Sequence, residues 1–328
     1  MPATAAPPRP RGLDALRAPI EDDLATFRRY FRDAMRSRVR MLDLVTQFTL
    51  RRKGKEIRPT LVLLTARLCG DVTERSYRAA ALVELLHTAT LVHDDVVDEA
   101  ERRRGAFSIN AVWKNKVAVL FGDFLLSRGL LLALDNGDYD LLQLVSDAVR
   151  RMSEGELLQI EKARRLDIDE PTYFRIIGDK TGSLIAACMA CGAASAGADE
   201  AAVQQARAIG EKLGLAFQIR DDLFDYEAVD VGKPLGLDLQ ERKLTLPLIA
   251  ALDRADPAER RRVMALVRKR RDAPAVHRFV KAQGGLDYAR QEMERLTDEV
   301  QEGLLAFPPS EARDALVGLA AYVVARRI

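Results

Sequence analysis

Two aspartate clusters could do chemistry in this chain. Asp94-Asp95-Val96-Val97-Asp98 and Asp221-Asp222-Leu223-Phe224-Asp225 both have the form DDxxD, and both follow apolar stretches, HTATLVH and GLAFQIR. On a helix, residues four apart share a face, so Asp94 projects with Asp98, and Asp221 with Asp225. Like charges at that spacing destabilise a bare helix by a few tenths of a kcal/mol. A chain that does this twice beside hydrophobic runs points to bound cations that offset the repulsion. All-oxygen carboxylate sites suit Mg²⁺, which takes one or two carboxylates and lets phosphate oxygens complete its octahedron. A lone DDxxD is more often a solvated helix end; two copies with matching flanks are harder to dismiss. The first copy runs straight into Arg102-Arg103-Arg104-Gly105. Arginine forks match phosphate oxygens in pairs, so acid followed by base is what a metal-diphosphate site requires.

Further residues gather around this pattern. Seven residues advance a helix by about 700°, within about 20° of the same face, so His87 points with Asp94. A buried structural histidine is the bland alternative, and the alignment with Asp94 and Asp98 favours a ligand contact. Lys53-Gly54-Lys55-Glu56-Ile57-Arg58-Pro59 is a basic, Gly-containing loop before a helix start, able to offer Lys55, Arg58 and backbone N–H groups to an anion. Lys180-Thr181-Gly182 offers a cation and a hydroxyl, Gln218 shares a face with Asp221, and Lys233 and Lys243 flank a Gly/Pro-rich stretch. Each is ordinary alone. Together they ring two acidic helices with opposite charge, a layout for two polyanionic groups.

The elements that must position these residues read as helix almost everywhere. Three- and four-residue hydrophobic spacing runs through 16–48, 59–69, 74–98, 108–134, 138–164, 171–196 (broken by Gly178 and Gly182), 199–226 and five shorter segments from 248 to 326. Residues 229–247 form the one long loop-like region, and alternating strand patterning is almost absent. An all-α, single-domain multi-helix bundle follows. The 328 residues are 48% hydrophobic and 30% charged, with a formal net charge of +2. That frame suits a large globular core and disfavours a general nucleic-acid binder. The N-terminus, MPATAAPPRPRGLDALRAP, reads as a disordered tail over residues 1–18 ahead of a domain over 19–328. No uninterrupted run of 18 apolar residues argues for a membrane span, and surface association stays open. Cys69, Cys188 and Cys191 are too few for a disulfide framework and fit a reducing, cytoplasmic setting. Cys188-Met-Ala-Cys191 lacks nearby partners for zinc, so the cysteines read as core residues. The basic run around Arg260–Arg262 and Arg268–Arg271 is interleaved with Val263, Met264, Leu266 and Val267, as on a solvated amphipathic helix rather than a binding module.

The strings GKEIRP, ELLHTATLVHDDVVDEAERRRG, GDKTGSLI, FQIRDDLFD and GKPLGLDLQERKLTLPL stand in the order and spacing of the trans-isoprenyl (polyprenyl) diphosphate synthases. The chain resembles that family over roughly residues 20–326. The resemblance implies an all-α fold with a central active-site cavity, usually as a homodimer. It implies a Mg²⁺-dependent prenyltransferase using an allylic diphosphate and isopentenyl diphosphate, with three Mg²⁺ per site. It casts Asp94, Asp98, Asp221 and Asp225 as metal ligands, supported by Asp95, Asp222 and Asp238. Lys55, Arg58, His87 and Arg104 resemble isopentenyl diphosphate contacts. Arg103, Lys180, Thr181, Gln218, Lys233 and Lys243 resemble allylic diphosphate contacts. Lys53 departs from the first glycine that many members carry in this loop.

Product length depends on what lines the route away from the first cluster. Ala89 and Thr90, one turn upstream, are small where short-chain members typically place a bulky aromatic. With the Ala/Gly-rich stretch 186–198 they imply an open tunnel and a long-chain, octaprenyl-type product feeding a quinone side chain. A shorter-chain synthase, and a non-catalytic subunit of a hetero-oligomeric synthase, are the alternatives.

Overall fold

The computed structural model describes residues 12–51, 54–103, 106–227, 243–269 and 272–325. Lys53, Arg104, Lys233 and Asp238, singled out from the sequence, lie outside the described residues. The helices are α1 (Leu13–Arg17), a 3₁₀ turn (Ala18–Ile20), α2 (Glu21–Ala34), α3 (Arg40–Leu50), α4 (Ile57–Cys69), α5 (Glu74–Val97), α6 (Ile109–Leu134), α7 (Tyr139–Arg165) and α8 (Glu170–Ile177). A π-helical turn (Gly178–Gly182) joins α8 to α9 (Ser183–Ser195). Then follow α10 (Glu200–Glu227), α11 (Leu246–Arg254), α12 (Pro257–Arg268), α13 (Ala273–Ala282), α14 (Gly285–Leu305) and α15 (Glu311–Ala325).

Three expectations change. The chain is already helical at Leu13, inside the segment expected to be tail, because Leu16 is buried in the main core beside α15. Two short strands, β1 (Arg102–Arg103) and β2 (Ala106–Phe107), pair antiparallel between α5 and α6. Strands of two residues are too short to leave a periodic trace in sequence. Finally, α6 is long and apolar enough to cross a membrane by length and composition, although Lys114, Lys116, Asp123 and Arg128 interrupt its run. Two of them have local roles: Arg128 Nε donates to Ala34 O at 2.5 Å, and Asp123 stands 3.5 Å from His93.

Helix α9 is the axis of the bundle. It is made of small residues, and Ser183 and Leu184 together with every residue from Ala186 to Ser195 are buried. Small side chains let neighbours approach to backbone contact. A Cβ on Gly192 would stand 2.4 Å from Val62 O of α4, and one on Gly214 would stand 2.6 Å from Gly182 Cα. These contacts also give the direction of each neighbour. Gly70 lies by Ala196 and Val62 by Gly192, so α4 runs parallel to α9. Ser76 meets Ser195 at the start of α5, Leu141 meets Cys191 early in α7, and Ile185 meets Gly210 in α10 ahead of the Gly182–Gly214 contact. The helices α5, α7 and α10 therefore run antiparallel to α9. The N-terminus of α4, the π turn and the C-termini of α5, α7 and α10 all collect at one end.

The cysteines are core residues, as their surroundings imply. Cys188 and Cys191 are fully buried, and burial pushes the Cys188 thiol up to about 12. Helix α12 buries Val263 and Val267 and leaves its arginines exposed, some paired with Asp253 and Glu259. That is the solvated amphipathic face expected for it.

Candidate active site

Both acidic clusters stand where a helix resists them. Asp94 and Asp95 occupy the last turn of α5, and Asp98 caps it, its N–H donating to Asp94 O at 2.8 Å. Asp221, Asp222 and Asp225 occupy the last two turns of α10. Neither helix carries a basic residue in its last turn. A helix C-terminus bears partial negative charge and favours cations, with about 0.3–1 kcal/mol typical for one surface charge. Here carboxylates take that place twice.

Burial divides each cluster in the same way. Asp94, Asp98 and Asp221 are exposed and Asp225 is half-buried, whereas the middle residues Asp95 and Asp222 are buried. Outward carboxylates at helix C-termini are hard oxygen donors that suit Mg²⁺ or Ca²⁺. Among the described residues, no three His, Cys, Asp or Glu side chains converge enough to hold a metal unaided.

Helix α9 serves as a ruler for the two clusters. From Ser76 to Asp94 α5 rises about 27 Å, while α9 covers about 18 Å from Ser195 back to Ser183. From Gly214, level with Gly182, α10 rises about 10 Å to Asp221. Both clusters thus overhang the N-terminal end of α9 by about 10 Å. The repeat visible in the sequence is a pair of parallel helix ends on either side of one axis.

The π turn fills the space between them and is held on both sides. Toward α7, Arg151 Nε donates to Asp179 Oδ1 at 2.8 Å and its Nη2 donates to Glu211 Oε1 at 2.6 Å. Burial works against the Arg151 charge, but these hydrogen bonds outweigh it and raise its pKa. Gly155 permits this approach, since a Cβ there would stand 2.9 Å from Asp179 Cβ. Lys180 Nζ pairs with Glu156 at 2.5 Å. Toward α10, Thr181 Oγ1 donates to Gln218 Oε1 at 2.8 Å, Gln218 Nε2 donates to Asp222 Oδ1 at 2.9 Å, and Tyr173 OH donates to Asp222 Oδ2 at 2.7 Å.

The basic loop reaches the same end from α4. Glu56 adopts a left-handed conformation (φ 41°, ψ 38°) and is gripped by Arg28, with N···O distances of 2.9 and 2.7 Å. This turn leaves Lys55 exposed and sets Arg58, half-buried, in the first turn of α4. His87 is buried at 7% exposure, and its carbonyl accepts the Thr90 hydroxyl at 2.8 Å. Ala89 is buried in an apolar cluster with Leu85, Val92, Phe121 and Leu125, directly below the first acids along α5. Arg103 lies in the ribbon, and Lys243 is half-buried just ahead of α11. Tyr173, Arg151, Glu211 and Arg28 are additions that sequence reasoning missed. Each acts through a partner at least 28 residues away, and no spacing rule marks such pairs.

Known proteins match the chain along nearly its whole length. Octaprenyl diphosphate synthase of Escherichia coli is 34% identical over 319 residues, covering 96% of this chain and 99% of that protein. The structure of a decaprenyl diphosphate synthase from Rhodobacter capsulatus superposes with a TM-score of 0.90 at 37% identity, over 96% of this chain and 99% of that one. A polyprenyl synthase from Caulobacter crescentus, complexed with calcium and isoprenyl diphosphate, matches with a TM-score of 0.87 at 34% identity, over 98% and 100%. The all-α architecture is that of the isoprenoid synthases. The polyprenyl synthetase family model matches residues 39–282, and the chain belongs to that family.

Proposed function

We propose that this chain is a Mg²⁺-dependent trans-polyprenyl diphosphate synthase. It joins an allylic diphosphate to successive isopentenyl diphosphates, giving a long-chain product of octaprenyl type for a quinone side chain. The observation that carries this reading is the pair of carboxylate-tipped helix ends beside a π turn bearing Lys180 and Thr181. Outward Asp94, Asp98, Asp221 and Asp225 hold the cations, while Asp95, Asp222 and Asp238 support them. When bound, the cations neutralise charge developing on the departing diphosphate. Arg103, Lys180, Gln218, Lys233 and Lys243 grip the diphosphate of the allylic substrate. Thr181 contacts it through its oxygen, because its proton goes to Gln218. Lys55, Arg58, His87 and Arg104 hold isopentenyl diphosphate alongside.

The C–O bond of the allylic substrate breaks, and its electron pair leaves with diphosphate. The isopentenyl double bond supplies the electrons of the new C–C bond, and a proton passes to the released diphosphate. Holding both substrates at contact distance supplies much of the rate. Incubation of the purified protein with isopentenyl diphosphate, an allylic primer and Mg²⁺, read by mass analysis, tests the whole reading. Long-chain products support it, short products favour a shorter-chain synthase, and no product with any primer favours a non-catalytic subunit.

The apolar cluster below Asp94 is the proposed route of the growing chain. Ala89→Phe should therefore shorten the product distribution, with the folded enzyme still turning over. Unchanged product length in a folded variant removes Ala89 from the route.

The domain runs from α1 to the end of α15 and works as a homodimer in the cytoplasm. Val119, Leu120, Leu130, Leu131 and Leu134 share one face of α6 beyond its break at Lys114, and all are at least 36% exposed. An exposed face this rich in apolar side chains, broken by Lys116 and Asp123, suits a second copy of the chain. Leu120→Glu combined with Leu131→Glu should halve the mass seen by light scattering; an unchanged mass would exclude this face.

A further inference from the structure

Tyr173 stands outside every role assigned so far, yet it touches the buried member of the second acidic cluster. It lies on α8, is 3% exposed, and its ring packs edge-on against Phe174 at 5.5 Å. Its hydroxyl donates to Asp222 Oδ2 at 2.7 Å, within a buried pair. A phenol at such a site is a donor in fixed geometry, because the ring cannot swing away without opening the core.

We propose that Tyr173 is a positioning residue for the allylic diphosphate site. It sets the proton order of a relay that runs from α8 through α10 to the π turn. This rests on the synthase reading above. An Asp222 carboxylate accepts on both oxygens. It takes the Tyr173 O–H on one and a Gln218 N–H on the other. Turning the Gln218 amide over would set its carbonyl against that carboxylate, so the acid fixes the amide orientation. With Nε2 toward Asp222, Oε1 must face Thr181, and Thr181 must donate to it. Gln218 keeps one N–H for the site, and Thr181 presents only lone pairs. The direction of every hydrogen bond is set from Tyr173 and Asp222.

The relay also explains the sharing of labour within the cluster. Asp222 spans α8 and α10, while Asp221 and Asp225, on either side of it, point outward. Fixing the middle carboxylate fixes the rotation of the helix end that carries the other two. Loss of the phenol oxygen therefore loosens four residues together: Asp221, Asp225, Gln218 and Thr181. The isopentenyl diphosphate contacts on α4 and α5 lie on other helices and are left alone.

Tyr173→Phe removes one oxygen and keeps the ring. The expected result is a fall in kcat of about 10–100-fold, the range typical of groups that orient metal ligands. KM for isopentenyl diphosphate should stay within about twofold. In the ligand-free protein, amide hydrogen exchange should quicken over residues 181–184 and 218–226 and nowhere on α5. In an Asp222→Asn background the same substitution should cost no more than about twofold, because its acceptor has changed. A phenol that served only core packing would lower Tm and leave the kcat of folded enzyme and the local exchange pattern unchanged. That outcome, or effects of the two substitutions that simply multiply, overturns the proposal. The exchange measurement needs no turnover. A wild-type protein without synthase activity thus refutes the function while still reporting on Tyr173.

Discussion

Asp94→Asn should lower kcat by at least about 10²–10³-fold while leaving the protein as stable as before, or more so. The first half follows from the chemistry. A departing diphosphate gathers charge, and the groups that neutralise it count most in the transition state; removing one such contact typically costs about 10²–10³-fold. The second half follows from the helix. Asp94 is exposed in the last turn of α5, with Asp98 one turn on, and that turn of the helix carries no basic residue. Asparagine keeps the shape and removes a like charge from the negative end of the dipole. Activity and Tm should therefore move in opposite directions, and Asp221→Asn on α10 should behave alike. Steady-state kinetics and a thermal melt on the same sample check both halves. A variant that lost activity and stability together would mean that the carboxylate is structural.

Gly214→Val should give the opposite combination, with fold and activity failing together. A Cβ at 214 would stand 2.6 Å from Gly182 Cα and 3.2 Å from Gly182 N. Both neighbours are backbone, so no side chain can step aside. Overpacking usually costs about 1–3 kcal/mol, and a backbone collision belongs at the upper end of that range or above it. At about 2–4 °C per kcal/mol for a chain of moderate size, Tm should drop by several degrees or more. The π turn must also withdraw from α10, and the 2.8 Å bond from Thr181 to Gln218 breaks with it. Calorimetry with a KM for the allylic substrate would register both. A normal melt would show that the α9–α10 contact is looser than the geometry states.

The helices and the acid clusters were legible in the sequence because both are periodic. Spacing of three and four marked α5, α6, α7 and α10 almost to their ends, and Gly178 and Gly182 marked the break that became the π turn. The middle aspartates were not told apart from their neighbours. Asp94 and Asp95 are chemically identical, and only packing buries one of them. The partners Tyr173 and Arg151 were invisible for the same reason. Tyr173 lies 49 residues from Asp222, and Arg151 lies 60 from Glu211. The helix α6 was passed over as a long apolar element because four charged residues, Lys114, Lys116, Asp123 and Arg128, interrupt it.

The π turn at Gly178–Gly182 amounts to one surplus residue between α8 and α9. Its hallmark is Ser183 N–H reaching back five residues to Gly178 O instead of four. Each residue turns a helix by about 100°, so the surplus one resets the azimuth of everything on α8 relative to α9. Deleting a single residue there would give an unbroken, more regular helix, which by local rules is the better one. It would also swing Tyr173 about a quarter-turn away from Asp222 and Arg151's partner Asp179 out of line. The irregularity is thus a phase shifter, and the active end of the bundle is in register only because the helix leading into it is one residue out of step.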